Sequence, residues 1–280
     1  VKREIEVHLR RQLDEKKIDS KIFNDDKIFN DEMKVTYPNL ESWVLDPHIQ
    51  ELSPASREGI LNAIREKRWN DIVEAFRKEA TFGTAGIRGR AAFSRVELER
   101  LKDEGPGAAI LKGPNTINDI VLLLKTAGVI RYMKEKGLHK VAIGYDSRVA
   151  GAQFAELIAK SFLGRSTPKH PFSIYLFDNA SPFPELSFAV TTKAVRADIG
   201  ILISASHNPA DYNGYKITNS SGAQLTGSMR DEIADAIEQV RTSDIQLKDL
   251  AEAPPGQLIW LGGEKPISGK DYKGVDLTKY

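Results

Sequence analysis

Residues 198–204 read DIGILIS, and residues 204–217 read SASHNPADYNGYKI. The first stretch is a short, almost continuous apolar run, which is typical of a buried strand in a parallel sheet. The second stretch places Ser206 beside His207 and then restricts the backbone with Pro209. Together they predict a buried strand whose carboxyl end leads into a constrained polar loop, called the serine loop below.

Apolar strands and helical segments alternate around this strand. Further strands are predicted at KVAIGYD (140–146), FSIYLFD (172–178) and YKITN (215–219). Helices are predicted at 119–136, 150–164, 184–195 and 228–240, and apolar spacings of three and four residues predict others between 53 and 80. The alternation predicts an α/β fold: a three-layer α/β/α domain with a mostly parallel, mixed sheet and an N-terminal helical extension.

Three helix starts are predicted from capping patterns. Asn118 is expected to cap the helix that follows it, and Ser53 with Pro54 is expected to open an earlier helix. Ser228 and Asp231 have the spacing of a capping box at the last helix.

The composition excludes several kinds of chemistry. Lysine plus arginine total 40 and aspartate plus glutamate 39, so no partner among nucleic acids or anionic membranes is expected. The absence of cysteine rules out disulfides, thiolate catalysis and cysteine metal sites, and a reducing cytoplasmic location is the simplest expectation. No apolar run approaches the ~20 residues of a membrane span. The oligomeric state is left open.

Polar residues follow two of the predicted strands. Asp146 and Arg148 come directly after one strand, and the serine loop comes after another. Because ligands bind at the carboxyl ends of parallel strands, both loops are expected at one edge of the sheet. The glycine-rich stretch 81–90, with Arg88 and Arg90, is either a tight turn or a phosphate-binding loop, since glycine backbone and arginine forks both suit anions.

Three motifs in this order carry a family resemblance: TFGTAGIRGR, GYDSR and SASHNPADYNGYKI. They resemble the first domain of the α-D-phosphohexomutase superfamily of phosphoglucomutases and phosphomannomutases. The GTAGIRG form is most similar to the phosphoglucomutase-2 and phosphopentomutase-like branch. The resemblance covers roughly residues 40–280. The predicted division of the chain is a helical extension over 1–79, a phosphoserine-bearing domain I over 80–245, and a linker with the start of a second domain over 246–280.

The resemblance also implies a reaction. A sugar phosphomutase moves a phosphoryl group between the 1- and 6- (or 5-) positions of a sugar monophosphate, through a phosphoserine and a sugar bisphosphate intermediate. Mg²⁺ is the implied cofactor and a sugar 1,6-bisphosphate the implied activator. The implied catalytic residues are Ser206, Lys216, Arg88 and His207, and the implied phosphate-binding residues are Arg88, Asn208, Arg148 and Lys216.

Some family motifs do not occur in this sequence. The Asp-x-Asp-x-Asp-Arg loop that holds magnesium, the sugar loop and the second phosphate loop are absent, so the phosphoserine at Ser206 is the expected metal contact. The 280-residue chain is therefore expected to be an incomplete, inactive part of a mutase. Two alternatives stay open: a glucose-1,6-bisphosphate synthase that uses an external donor, and a non-catalytic anion-binding module.

Overall fold

The computed structural model of the chain describes residues 26–82 and 86–262, together with Arg3 and Val7. Most of the predicted N-terminal extension before residue 26 therefore lies outside the described residues. The same holds for residues 83–85 of the glycine-rich stretch and for the predicted start of a second domain after residue 262.

Two compact units make up the chain. The first unit comprises Val1–Ala80 and Gly89–Val121, and the second comprises Thr81–Arg88 and Leu122–Tyr280. Within the part of the chain that the structure describes, no helix combines the length and the apolar character needed to cross a bilayer.

The first unit is built from helices. They are α1 (Asp26–Leu45), α2 (Pro47–Leu52), α3 (Ser56–Arg65), α4 (Trp69–Phe76) and α5 (Arg95–Glu104). Their core contains an edge-to-face pair between Trp43 and Phe76, with ring centroids 6.2 Å apart. Ile60 and Ile72 are fully buried in the same unit, as their helical spacing predicted.

The predicted cap at Ser53 is wrong. The helix begins at Ser56, and Ser53 instead ends α2. Its hydroxyl donates to Oδ2 of Asp119 at 2.7 Å and accepts from Nζ of Lys112 at 3.0 Å. Lys112 and Asp119 form a buried ion pair at 2.8 Å. The Ser53 hydroxyl therefore hydrogen-bonds to this ion pair instead of capping a helix, as the local sequence pattern had predicted.

The remaining elements form a six-stranded sheet and its helices. They are β1 (Ile87–Arg90), α6 (Asp119–Lys136), β2 (Lys140–Tyr145), α7 (Gly151–Arg165), β3 (Ser173–Phe177), α8 (Phe183–Thr191), β4 (Ile199–Ile203), β5 (Tyr212–Thr218), α9 (Gly227–Glu238) and β6 (Leu258–Leu261). The strand order is β1-β5-β4-β2-β3-β6. β2 pairs in parallel with β3 and β4, β3 pairs in parallel with β6, and β5 runs antiparallel to β4.

Helices cover both faces of this sheet. α7 packs against β2, β3 and β4, and α8 packs against β2 and β4. Alternate strand residues supply the cluster around α8, whose members include Ala142, Phe177, Leu186, Val190 and Leu202. The neighbouring strand residues Ile143, Leu176 and Ile201 point to the opposite face and are fully buried as well. The predicted mixed, mostly parallel α/β fold is confirmed, and the domain boundaries at 79 and 245 stay predictions.

Two helix starts in the chain differ in how well the sequence predicted them. Asn118 caps α6 as expected, since its Oδ1 accepts from the amide of Val121 at 2.9 Å. The predicted capping box at α9 is wrong, because the capping residue is Thr226, which makes no side-chain cap, and Ser228 lies inside the helix.

Strand pairing determines where the polar loops begin. Tyr145 at the end of β2 lies opposite Ile203 at the end of β4. The amide of Asp146 continues this ladder by donating to the carbonyl of Ile203 at 3.0 Å. The loop after β2 and the serine loop between β4 and β5 therefore leave the sheet side by side.

Candidate active site

The serine loop holds Ser206 in a left-handed backbone conformation, with φ of 61°. This conformation costs a residue other than glycine about 1–2 kcal/mol. Local hydrogen bonds oppose that cost: the amide of Ser206 donates to Oγ of Ser204 at 3.1 Å, and the amide of Asn208 donates to the carbonyl of Ala205 at 3.2 Å. Strained residues of this kind occur where the surrounding structure over-determines them, often at functional sites.

His207 lies next to the serine hydroxyl but not in close contact with it. Oγ of Ser206 is 3.4 Å from Nδ1 of His207, which is long for a hydrogen bond between these atoms. Both side chains are exposed. The predicted catalytic role of His207 stays a prediction, since such contacts often tighten only when substrate is bound.

Arg148 makes the densest set of contacts at this edge of the sheet. Its guanidinium donates four hydrogen bonds of 2.5–2.9 Å to serine-loop carbonyls, which belong to Ser206, Asn208, Pro209 and Tyr212. Its Nε lies 3.5 Å from Oδ2 of Asp146. The predicted role of Arg148 in binding phosphate stays a prediction. The contacts in the structure are to the loop backbone.

Lys216 is a buried cation on β5. It lies opposite Leu202 of β4 and is only 6% exposed. Its Nζ lies 5.7 Å from the ring centroid of Phe183, a distance that suits a cation–π interaction. Burial lowers the pKa of Lys216 below its ordinary value, and the positive charges of Arg88 and Arg148 lower it further, against the opposing effect of Asp146.

Arg88 reaches the same region from β1. Its side chain is exposed and passes Gly214 of β5, where a Cβ atom would lie 3.3 Å from the Cγ of Arg88. That Cβ would also lie 2.5 Å from the carbonyl oxygen of Ser204 and 2.7 Å from that of Ile87. Glycine is therefore required at 214, because any side chain would push the serine loop and β1 apart.

The sequence-predicted residues are brought together to different degrees. The charges of Arg88 and Arg148 both act on Lys216, and Arg148 contacts the backbone of Ser206 and of Asn208 directly. Asn208 contributes its carbonyl to Arg148, so its predicted contact with phosphate stays a prediction.

Residues 79–244, more than half of the chain, match the sequence profile of "Phosphoglucomutase/phosphomannomutase, alpha/beta/alpha domain I". The chain belongs to the phosphoglucomutase/phosphomannomutase family. Family membership confirms the resemblance to the phosphohexomutase superfamily, and the closer likeness to one branch stays a prediction.

Curated relatives in this family are similar to this chain over one region of 168 residues. A phosphoglucomutase of Staphylococcus aureus strain MRSA252 is 34% identical over 168 residues, which cover 60% of this chain and 26% of the relative. The phosphoglucomutase of strain NCTC 8325 matches equally over the same share. This chain thus spans about a quarter of the length of these relatives. A crystal structure of a phosphoglucomutase/phosphomannomutase family protein from Burkholderia thailandensis has a TM-score of 0.43 at 17% identity, covering 65% of this chain and 33% of its own.

The phosphohexomutase family implies a magnesium ion, and the donor set of this chain can be compared with that expectation. Magnesium requires near-octahedral oxygen coordination. Within residues 26–82 and 86–262, no group of three or more histidine, aspartate or glutamate side chains is placed to hold a metal. The oxygen of Ser206 supplies one ligand at most, so the described residues do not by themselves fit a magnesium site.

Sequence reasoning missed two features of this candidate site. Phe183 is the first residue of α8 and lies beside the Lys216 ammonium, whereas the sequence predicted a helix only from Pro184 and gave Phe183 no role. The carbonyl contacts of Arg148 join positions 58 to 64 residues apart, and no local signal indicates them.

Proposed function

We propose that this chain is the part of a sugar phosphomutase in which Ser206 carries the phosphoryl group. The observation that supports this most directly is the presentation of Ser206. Its exposed hydroxyl is held in a left-handed conformation at the carboxyl end of β4, beside a cationic edge of the sheet. Substrate sites in α/β sheets lie at such strand ends, and the family relatives named above are phosphoglucomutases.

The proposed step is a phosphoryl transfer between Ser206 and a sugar hydroxyl. The bond between phosphorus and Oγ of phosphorylated Ser206 breaks while the sugar oxygen bonds to phosphorus. The proton of the sugar hydroxyl leaves, and Oγ of Ser206 gains one. After the sugar bisphosphate reorients, its other phosphoryl group is transferred to Oγ of Ser206, and the isomeric monophosphate is released. Such transfers depend mainly on positioning and on stabilisation of the phosphoryl charge.

Lys216 and Arg88 are the proposed cationic partners of that phosphoryl group. Arg88 has a planar fork that suits phosphate oxygens, and its side chain is exposed at the end of β1. Lys216 combines a charge for the phosphate with a pKa that burial and Arg88 lower. A lowered pKa makes the neutral amine more accessible near neutral pH, which is the property of a general acid and base.

Supporting roles are proposed for His207, Asn208 and Arg148. Nδ1 of His207 lies 3.4 Å from Oγ of Ser206, so a small rotation of either side chain would let His207 orient the hydroxyl. Asn208 is a proposed contact for a phosphate of the sugar, whereas the guanidinium of Arg148 already donates to four carbonyls of the serine loop.

Phosphorylation of Ser206 tests the proposal without requiring complete turnover. The purified chain is incubated with glucose 1,6-bisphosphate, and the intact mass and the modified residue are determined by mass spectrometry. We expect one added phosphoryl group on Ser206. The Ser206→Ala variant should gain none, and the matched variant Ser221→Ala, at another exposed loop serine, should behave like the wild type. A wild-type chain that remains unmodified, also after addition of magnesium, would overturn the proposal.

The same assay separates the two alternatives. Phosphorylation of Ser206 by an acyl phosphate, but not by the sugar bisphosphate, favours a bisphosphate synthase with an external donor. Saturable binding of sugar phosphates without any modification of Ser206 favours an anion-binding module.

A further inference from the structure

The guanidinium of Arg148 is enclosed by the backbone of the serine loop. Nη1 donates to the carbonyls of Pro209 (2.6 Å) and Tyr212 (2.9 Å), and Nη2 donates to those of Ser206 (2.9 Å) and Asn208 (2.5 Å). The Arg148 side chain is only 12% exposed. Four of its five N–H donors are therefore engaged in hydrogen bonds to one short loop.

Four carbonyl oxygens that converge on one point repel each other unless a cation lies between them. A guanidinium offers its donors in a rigid plane, whereas a lysine ammonium is a compact point charge with three rotatable donors. The loop geometry around Arg148 therefore depends on the fork as well as on the charge.

Arg148 is itself anchored to the sheet. Its amide donates to Oδ1 of Asp146 at 3.0 Å, and Oδ2 of the same carboxylate faces its Nε. Asp146 in turn donates its amide to the carbonyl of Ile203, the last residue of β4. A chain of contacts thus runs from the rigid end of the sheet through Asp146 and Arg148 to the carbonyl of Ser206.

We propose that Arg148 is a positioning residue whose guanidinium fork holds Ser206 in its left-handed conformation, ready for phosphoryl transfer. The conformation is the observation that needs an explanation, because a serine does not adopt it without support from its surroundings. This role rests on the proposed function of Ser206 and differs from a contact between Arg148 and the phosphate.

The charge of Arg148 has a separate effect. Lys216 is faced by the charges of Arg88, Asp146 and Arg148 and by the ring of Phe183. Loss of the Arg148 charge should raise the pKa of Lys216, whereas loss of the fork alone should not. The variants Arg148→Gln and Arg148→Lys separate these two effects.

The test uses nuclear magnetic resonance on the whole chain. A left-handed residue gives a strong cross-peak between its own amide and α protons, so the wild type should show one for Ser206. Both Arg148→Lys and Arg148→Gln should lose it, and only Arg148→Gln should shift the Lys216 titration. The control Arg131→Gln removes an exposed arginine paired within its helix to Glu135 and should change neither signal.

Phosphorylation of Ser206 provides the functional readout. At saturating sugar bisphosphate, both Arg148 variants should react about 100-fold more slowly, the loss expected when a reacting atom is misplaced by about 1 Å. Thermal melting is measured alongside, so that a folded variant with a misplaced serine is distinguished from an unfolded one. If the wild type is not phosphorylated, the proposed function fails, and the cross-peak experiment still decides the positioning role.

Three results would overturn the inference. One is a Ser206 cross-peak that persists in both variants, and another is an Arg148→Lys variant that behaves like the wild type. If neither variant folds, the positioning role of Arg148 is tested on the wild type alone. Its Arg148 Nη protons should exchange with water much more slowly than those of exposed Arg131, and equal exchange would be the third contrary result.

Discussion

A single methyl group at position 214 should disturb the junction between three elements of the site. In Gly214→Ala the new Cβ would lie 2.5 Å from the carbonyl oxygen of Ser204 and 2.7 Å from that of Ile87. Both atoms belong to the backbone, one at the start of the serine loop and the other in β1. Neither can move away by a change of rotamer, so the strands themselves must shift.

The expected loss of folding stability in Gly214→Ala follows from the kind of contact that the new Cβ makes. Overpacking in a well-packed interior costs about 1–3 kcal/mol, and two rigid backbone contacts favour the upper part of that range. A loss of about 2–3 kcal/mol corresponds to a fall in Tm of roughly 4–12 °C for a protein of this size. The Ser206 phosphorylation rate should fall as well, because Ser204 anchors the amide of Ser206.

Urea unfolding and thermal melting measure the stability change. The matched control is Gly107→Ala, because a Cβ at Gly107 would meet nothing within 4 Å. We expect the control to stay within about 0.5 kcal/mol of the wild type. A Gly214→Ala protein as stable as this control would refute the steric reasoning and the tight approach of β1 to β5 on which it depends.

Three further predictions concern charge and turnover. Because the pKa of Lys216 is lowered in the folded protein, the unfolded chain binds more protons between that pKa and the ordinary lysine value of about 10.4, so the stability of the wild type should rise with pH across this window. Lys216→Met should therefore be more stable than the wild type at neutral pH, with a difference that shrinks as the pH rises; a difference independent of pH, measured by urea unfolding, would contradict this. Lys112→Met should lose about 3–5 kcal/mol because it leaves Asp119 buried without its cation, and the double variant with Asp119→Leu should recover much of that loss in thermal melts; a double variant no more stable than Lys112→Met would count against a buried ion pair. The 280-residue chain with magnesium and a bisphosphate activator should convert glucose 1-phosphate only at the slow rate at which the bisphosphate phosphorylates Ser206, because its sequence has no Asp-x-Asp-x-Asp string to hold the metal; a turnover of about 1 per second or more in a coupled dehydrogenase assay, which is the ordinary range for enzymes, would show this reasoning to be wrong.

Strands and helices were predictable where the pattern of apolar residues is strong. β4 was read from an uninterrupted apolar run, and α6 from Asn118 followed by a long apolar stretch. β6 was missed because it has only four residues, two of them partly exposed, so that pairing with β3 rather than its own pattern makes it a strand.

Capping patterns failed where a distant partner offered a stronger interaction. Ser53 has the right neighbours for a helix start, but a buried ion pair 59 to 66 residues away engages its hydroxyl. A charged hydrogen bond in a dry interior outweighs a cap that water can replace. No local stretch of sequence includes both Ser53 and these distant partners, so a capping pattern by itself does not reveal the stronger interaction.

The sequence by itself determined the α/β fold class, the serine loop at the end of β4 and the family to which the chain belongs, because apolar periodicity and a long specific motif are local properties. Only the tertiary structure decided that Arg148 holds the serine-loop carbonyls, that Lys216 is buried beside Phe183, and that Gly214 has no room for a side chain. These features depend on which strands become neighbours, and strand order is set by the packing of the whole sheet rather than by any single segment.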